Sequence, residues 1–173
     1  MKSSISPTGL LFVVLVGIGL TRPVLAAGQL VDISQIITKA DAESILGEKV
    51  KDPSPRSGEG KDGYYSKCNY YSVSRGKSLV LRVQLPDGAS GIDPKKELEL
   101  VAASSGPMKT IDGIGDKAEL FSSGTDNNVA PHVLMLYVVK GNAFVAIGLG
   151  GFDDESAALE KAKTIAQKIL ERL

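Results

Sequence analysis

A chain of 173 residues with 20 Lys and Arg against 20 Asp and Glu has no surplus of positive charge to draw it to nucleic acid, and no basic stripe runs along any predicted element. One Cys and one His exclude an intrachain disulfide and a metal cluster built from those two residue types alone. A chain of this size suits a single domain whose core does not depend on disulfides.

The N-terminus reads as a secretory signal. Lys2 supplies a positive start, Leu10 to Leu20 an apolar run, and Val24-Leu25-Ala26 or Leu25-Ala26-Ala27 a small-residue cleavage site. Arg22, after the apolar run, is atypical, and no Cys stands beside the cleavage site to carry a lipid. The expected arrangement is a signal peptide over 1–26 and one α+β domain over 27–173, periplasmic or secreted. No transmembrane segment is expected in that mature chain. Removing Lys2 and Arg22 leaves 18 basic residues against 20 acidic, a net charge of −2.

Thr38, with Asp41 three residues on, predicts a capped helix in which Ala42, Ile45 and Leu46 share a face and Gly47 ends the element. Residues 51–63, KDPSPRSGEGKDG, hold no large apolar side chain and are read as a mobile solvated loop. Tyr64 to Val73 reads as a strand turning at Arg75-Gly76-Lys77. In the next strand Leu79, Leu81, Val83 and Leu85 alternate with Val80, Arg82 and Gln84, so that one face is wet.

Asp93 followed by Pro94 starts a helix that should reach about Ser105 before Gly106-Pro107. Ile111 to Phe121 is a glycine-rich turn running into a short strand, and Ser122 to Pro131 is a polar loop. Val133 to Val139 and Ala143 to Leu149 are apolar runs joined by Lys140-Gly141-Asn142, a β-hairpin whose strands are too short to span a bilayer. Asp153 or Asp154 caps a last helix in which Leu159, Ala162, Ile165, Ala166, Ile169, Leu170 and Leu173 recur at helical spacing.

Two hairpins, each followed by an Asp-started helix, form a pseudo-repeat. The expected architecture is α-β-β-α-β-β-β-α, an antiparallel sheet of about five or six strands with packed helices. The second hairpin is apolar on both sides, with Val133, Met135, Tyr137 and Val139 on one and Leu134, Leu136 and Val138 on the other. Either helices cover both faces, or a partner meets one of them.

Few residues suggest chemistry. A nucleophilic Cys68–His132 pair would need contact and a third group to orient the imidazole. Nothing local provides it, and a lone Cys is more often a small buried apolar residue, although an odd Cys in an exported protein permits an intermolecular disulfide. Asp112-Gly113-Ile114-Gly115-Asp116 superficially matches a dinucleotide loop but leads into a strand instead of a helix. Asp126-Asn127-Asn128 and Asp153-Asp154-Glu155 lack the ligand spacing of a calcium loop. No serine triad is readable, and no cofactor is expected. Tyr64, Tyr65, Tyr70 and Tyr71, with Tyr137 from the later hairpin, are the candidate ligand or partner surface, since tyrosine offers large contact area with a polar tip. Alternation puts Tyr65 and Tyr71 on one face and Tyr64 and Tyr70 on the other.

The segments IITKADAESILGEKV, CNYY, LVLRV, IDGIGDKAEL and LYVVKGNAFVAIGL, in that order before an amphipathic helix, resemble small exported bacterial domains of the LpqN-like lipoprotein type. That resemblance implies a fold similar to the PsbP and Mog1 α/β sandwich and a non-enzymatic envelope or secreted domain, and it brings no catalytic residues. Such domains often pair a Cys before the first helix with the one in the C-x-Y segment. Here Ser34 occupies the earlier place and Cys68 is left alone. The lipid-bearing Cys is also missing. The expected function is a non-catalytic binding or accessory module meeting an envelope protein or apolar ligand. The alternatives are an enzyme using Cys68 or His132 and a purely structural secreted domain.

Overall fold

The computed structural model describes residues 30–74, 76–88, 91–123 and 132–173. The signal segment, the turn residue Arg75 and the Asp126-Asn127-Asn128 stretch lie outside them. The described chain is an α+β sandwich of four helices and seven strands. In chain order these are α1 (Ile33–Ile36), α2 (Lys39–Leu46), β1 (Arg56–Gly60), β2 (Gly63–Tyr71), β3 (Ser78–Pro86), α3 (Pro94–Ser105), β4 (Lys109–Thr110), β5 (Lys117–Ser122), β6 (Val133–Lys140), β7 (Ala143–Gly150) and α4 (Glu155–Leu170). The strands form one antiparallel sheet in the order β1-β2-β3-β7-β6-β5-β4. No helix among the described residues is long and apolar enough to cross a membrane.

Local chemistry sets the helix boundaries. Thr38 and Asp41 close a reciprocal capping box at α2, and Gly47 ends that helix in the left-handed region at φ 73. Asp93 caps α3 with Pro94 in its first turn, and Asp154 caps α4 by accepting from Ala157 N at 3.1 Å. Glu155 accepts from Ser122 Oγ at 2.8 Å, so the acidic helix start serves structure, and no three His, Cys, Asp or Glu among the described residues gather as metal ligands. The glycine-rich turn before β5 clasps the β6–β7 turn: Asp116 accepts from Gly141 N at 2.7 Å and donates its own N–H to Val139 O at 2.7 Å. That geometry is a turn lock, with no phosphate cradle.

Two layers of helix flank the sheet. The inner face packs Cys68, Tyr70, Leu79, Leu81, Val83, Leu136, Val138, Val145, Ile147 and Leu149 against α1, α2 and α4. The outer face carries only α3, whose Leu98 and Val101 cover Val139, Phe144, Ala146 and Tyr137. This layering settles the question the apolar hairpin posed. Helices α4 and α3 sandwich β6 and β7, and every residue of β7 is buried. Only toward the far end does cover thin, where Met135 lies across Gly148 and Val133 is half exposed.

Three elements differ from the sequence reading. Residues 56–60 are not a loop but a strand, because backbone hydrogen bonding to β2 in the register Arg56↔Lys67 to Gly60↔Gly63 needs no apolar side chain. The two-residue β4 raises the count to seven strands, above the expected five or six. The four-residue α1 precedes the predicted first helix, anchored by Ile33 N donating to the buried Ser66 Oγ at 2.9 Å.

Candidate functional site

Strand β2 divides the tyrosines between two environments. Tyr64 and Tyr70 point inward and are buried, which removes them from any surface. Tyr64 Oη donates to Val31 O at 3.2 Å and Tyr70 Oη donates to Ile37 O, so both hydroxyls fasten the chain around α1 to the sheet. Burial pushes the Tyr70 phenol above its ordinary range. Tyr137 is also withdrawn: its ring stacks on Phe144 at 6.0 Å beneath α3, and burial raises its phenol against the opposing effect of a hydrogen bond to Ser105. Of the five candidate tyrosines, Tyr65 and Tyr71 remain on the outer face.

Cys68 and His132 are not brought together. The thiol is 1% exposed on the inner face, and burial raises its pKa, opposed by a hydrogen bond to Tyr70. In the sheet order two strands separate β2 from β6, so His132, just before β6, stands roughly 14 Å away from the spacing of about 4.8 Å per strand alone. A buried thiol is equally withdrawn from an intermolecular disulfide. The helix bearing Ser34 packs on β2, and Ser34 Oγ donates to Asp32 Oδ1 at 2.8 Å.

Among the described residues no helix packs across the outer face of β1 and β2, and α3 only borders that of β3, where Glu97, Leu100 and Val101 share a hollow with Arg82 and Gln84. Register places Arg56, Lys67 and Arg82 in one line across three adjacent strands, since Arg56 opposes Lys67 and Lys67 opposes Arg82. Like charges directly opposite one another each destabilise a sheet by about 0.2–1 kcal/mol. Among the described residues no carboxylate lies within ion-pair distance of Arg56 or Lys67, and Lys67 Nζ rests 5.9 Å from the Tyr65 ring centroid. Arg82 donates to Gln84 Oε1 and reaches Glu97 of α3 at 3.9 Å. Glu97 is largely buried with Oε2 lacking a hydrogen-bond partner, and that burial raises its carboxyl pKa against the opposing charge of Arg82.

Lys67 forms the ridge between two open hollows of about 370 Å³ each. Arg56, Asn69, Tyr71, Ser54 and Asp52 line one, and Tyr65, Arg82, Gln84 and Asp62 the other. Asp52 is engaged by Lys39 at 2.6 Å, outside the basic line. Asn69 Nδ2 donates to Tyr71 Oη at 3.1 Å and orients that ring, which is 49% exposed. A larger cavity of about 1050 Å³ lies beside the β6–β7 turn, bordered by both ends of the described chain, and two of its polar side chains are engaged. Asn142 Nδ2 donates to Pro86 O and Lys140 Nζ to Leu170 O, each at 3.0 Å.

The basic line was hidden from sequence reading because its members are 11 and 15 positions apart and its outer strand carries no strand-like side chains. Asp62-Gly63 after Gly60 was the available signal: such a pair marks a tight hairpin turn, here Lys61-Asp62, and Gly63 just after it takes φ 115 as the first residue of β2.

No family model matches the chain, and no curated protein does. Among solved structures, the crystal structure of the extracellular domain of PknH from Mycobacterium tuberculosis is similar, with a TM-score of 0.53 at 10% identity over 83% of this chain and 99% of that one. At that identity the likeness extends to the fold.

Proposed function

We propose that the chain is a non-catalytic exported binding module whose recognition surface is the outer face of β1, β2 and β3. The observation that carries this reading is the uneven cover of the sheet: α3 lies on β5, β6 and β7, and the strands beside it present Arg56, Lys67, Arg82, Gln84, Tyr65 and Tyr71 to solvent. Surfaces that combine aromatic rings with arginine are typical of recognition sites. The burial of Cys68 and its distance from His132 weigh against the alternative nucleophilic enzyme. The covered β6–β7 hairpin withdraws the surface that suggested an apolar ligand, so the partner sought is polar. The resemblance to exported LpqN-like domains and the extracellular fold neighbour both agree with an accessory role outside the cytoplasm.

A photo-crosslinking residue placed at Tyr71 tests the reading, with the same residue at Lys163 on the outer side of α4 as its control. Incubated with envelope material, the Tyr71 form should yield a crosslinked product that the Lys163 form does not. Products from Lys163 alone, or from neither position, overturn it.

A further inference from the structure

We propose that this bare face binds an anionic glycan, a chain of acidic sugars running obliquely over Lys67 from the hollow that holds Arg56 and Tyr71 to the one that holds Tyr65 and Arg82. The inference rests on the binding-module reading and supplies its ligand chemistry. Three cations on successive strands span roughly 10 Å at the spacing of neighbouring strands. A point anion would meet one of them, whereas a polymer with repeated carboxylates meets all three.

The free protein holds these charges in an unfavourable arrangement, each cation facing another across the ladder. Arg56 and Lys67 receive no compensating carboxylate from the described residues, and α3 supplies one only to Arg82. A bound polyanion removes that repulsion. Arginine is suited to bidentate pairing with carboxylates at both ends of the line.

The rest of the face narrows the polymer to a sugar. Tyr65 and Tyr71 lie on either side of Lys67 along β2, each in one of the two hollows, where rings can stack on the apolar faces of sugar units. Asn69 and Gln84 add amides for hydroxyl groups. Val80 and the buried Pro86 are the aliphatic side chains of β2 and β3 on this face, and Ile92 and Leu100 border it beside α3, too little apolar surface to anchor a membrane.

Calorimetric titration of the purified protein with oligogalacturonate tests the proposal, with neutral malto-oligosaccharide and inorganic polyphosphate as comparison probes. Oligogalacturonate should bind at low salt and weaken by about tenfold or more at physiological salt, as screened contacts do. Lys67→Gln should weaken it by about tenfold, a loss expected for a charge-assisted contact, and Lys67→Glu should abolish it. Tyr71→Ala should weaken it several-fold, and Lys163→Gln on α4 should leave it unchanged. Lys67→Glu should melt at or above the unaltered protein, so its lost binding cannot be ascribed to unfolding. No binding at low salt, or binding unaffected by Lys67→Gln, overturns the proposal. So does equal affinity for polyphosphate with no effect of Tyr71→Ala, which would mark a site that reads charge only. If oligogalacturonate fails while the Tyr71 crosslinker still captures a component, the glycan is wrong and the binding face stands; if both fail, both fall.

Discussion

Hairpin β2–β3 and hairpin β6–β7 lie side by side in the sheet, joined through β3 and β7, and share more than topology. In each a lysine at the turn reaches the C-terminal end of a helix. Lys77 Nζ donates to Leu46 O of α2 at 2.9 Å, and Lys140 Nζ donates to Leu170 O of α4 at 3.0 Å. They part at the outer face. The helix after the first hairpin, α3, does not cover that hairpin but crosses to the second, so β6–β7 is enclosed from both sides and β2–β3 from one. The pseudo-repeat expected from sequence therefore holds in element order, hairpin then Asp-capped helix, while the two helices pack on opposite faces of the sheet. Continuous apolarity in β6–β7 marks double cover, and the alternating polarity of β2–β3 marks a face left open to solvent.

The strongest way to break this contrast is to truncate matching positions in the two hairpins. Phe144 lies on the outer face of β7 beneath α3 and is buried, so Phe144→Ala should cost about 3–5 kcal/mol in a denaturant melt. Val80 lies on the outer face of β3, and Val80→Ala should cost under about 1 kcal/mol. Equal losses would mean that something covers the first hairpin in solution.

A second contrast lies within β2 itself. Tyr70→Phe leaves the Ile37 carbonyl without its buried donor and should cost about 1–3 kcal/mol. Tyr71→Phe removes an exposed hydroxyl and should change stability by less than about 0.5 kcal/mol. A third test inverts the usual sign. Lys67→Glu converts two like-charge cross-strand pairs into opposite-charge pairs and should raise stability by roughly 1 kcal/mol at low salt. Destabilisation there would show that the three cations do not act on one another.

Much of this molecule was legible because its instructions are local. The Thr38–Asp41 box, Asp93-Pro94, Asp154 and Gly141-Asn142 each act within a few residues, and each forms the cap or turn its chemistry requires. Alternation likewise assigned Leu79, Leu81 and Val83 to the core and Arg82 to the wet side. What could not be read depends on pairing at a distance. Strand β1 has one neighbour and is held by its backbone, so its side chains Arg56, Ser57 and Glu59 carry no strand signature. Without β1 there is no line of three cations, only scattered basic residues. The destination of α3 was hidden for the same reason: Leu98 and Val101 give it an apolar edge, but nothing local says which hairpin that edge meets.

The smallest effect concerns how the covers of the two hairpins are tied together. Lys168 of α4 pairs with Asp41 of α2 at 2.8 Å, linking a helix that packs on β6–β7 to one that packs on β3. This pair, with the Thr38 hydroxyl, lowers the Asp41 carboxyl from 3.8 to about 2. A carboxyl lowered in the folded state contributes stability that is fully present above its unfolded pKa and is lost as pH falls through the folded one. Solvent limits the size of that contribution, because the Asp41 and Lys168 side chains are 33% and 47% exposed. Lys168→Met should therefore cost only about 0.5 kcal/mol at neutral pH. In paired melts the gap between variant and unaltered protein should close as pH falls from about 4 toward 2, the window the Asp41 shift defines. A gap that persists at pH 2 would assign the loss to the packing of the Lys168 stem. In that case α2 and α4 would be coupled by contact, and the two hairpins would share one inner layer without needing the ion pair.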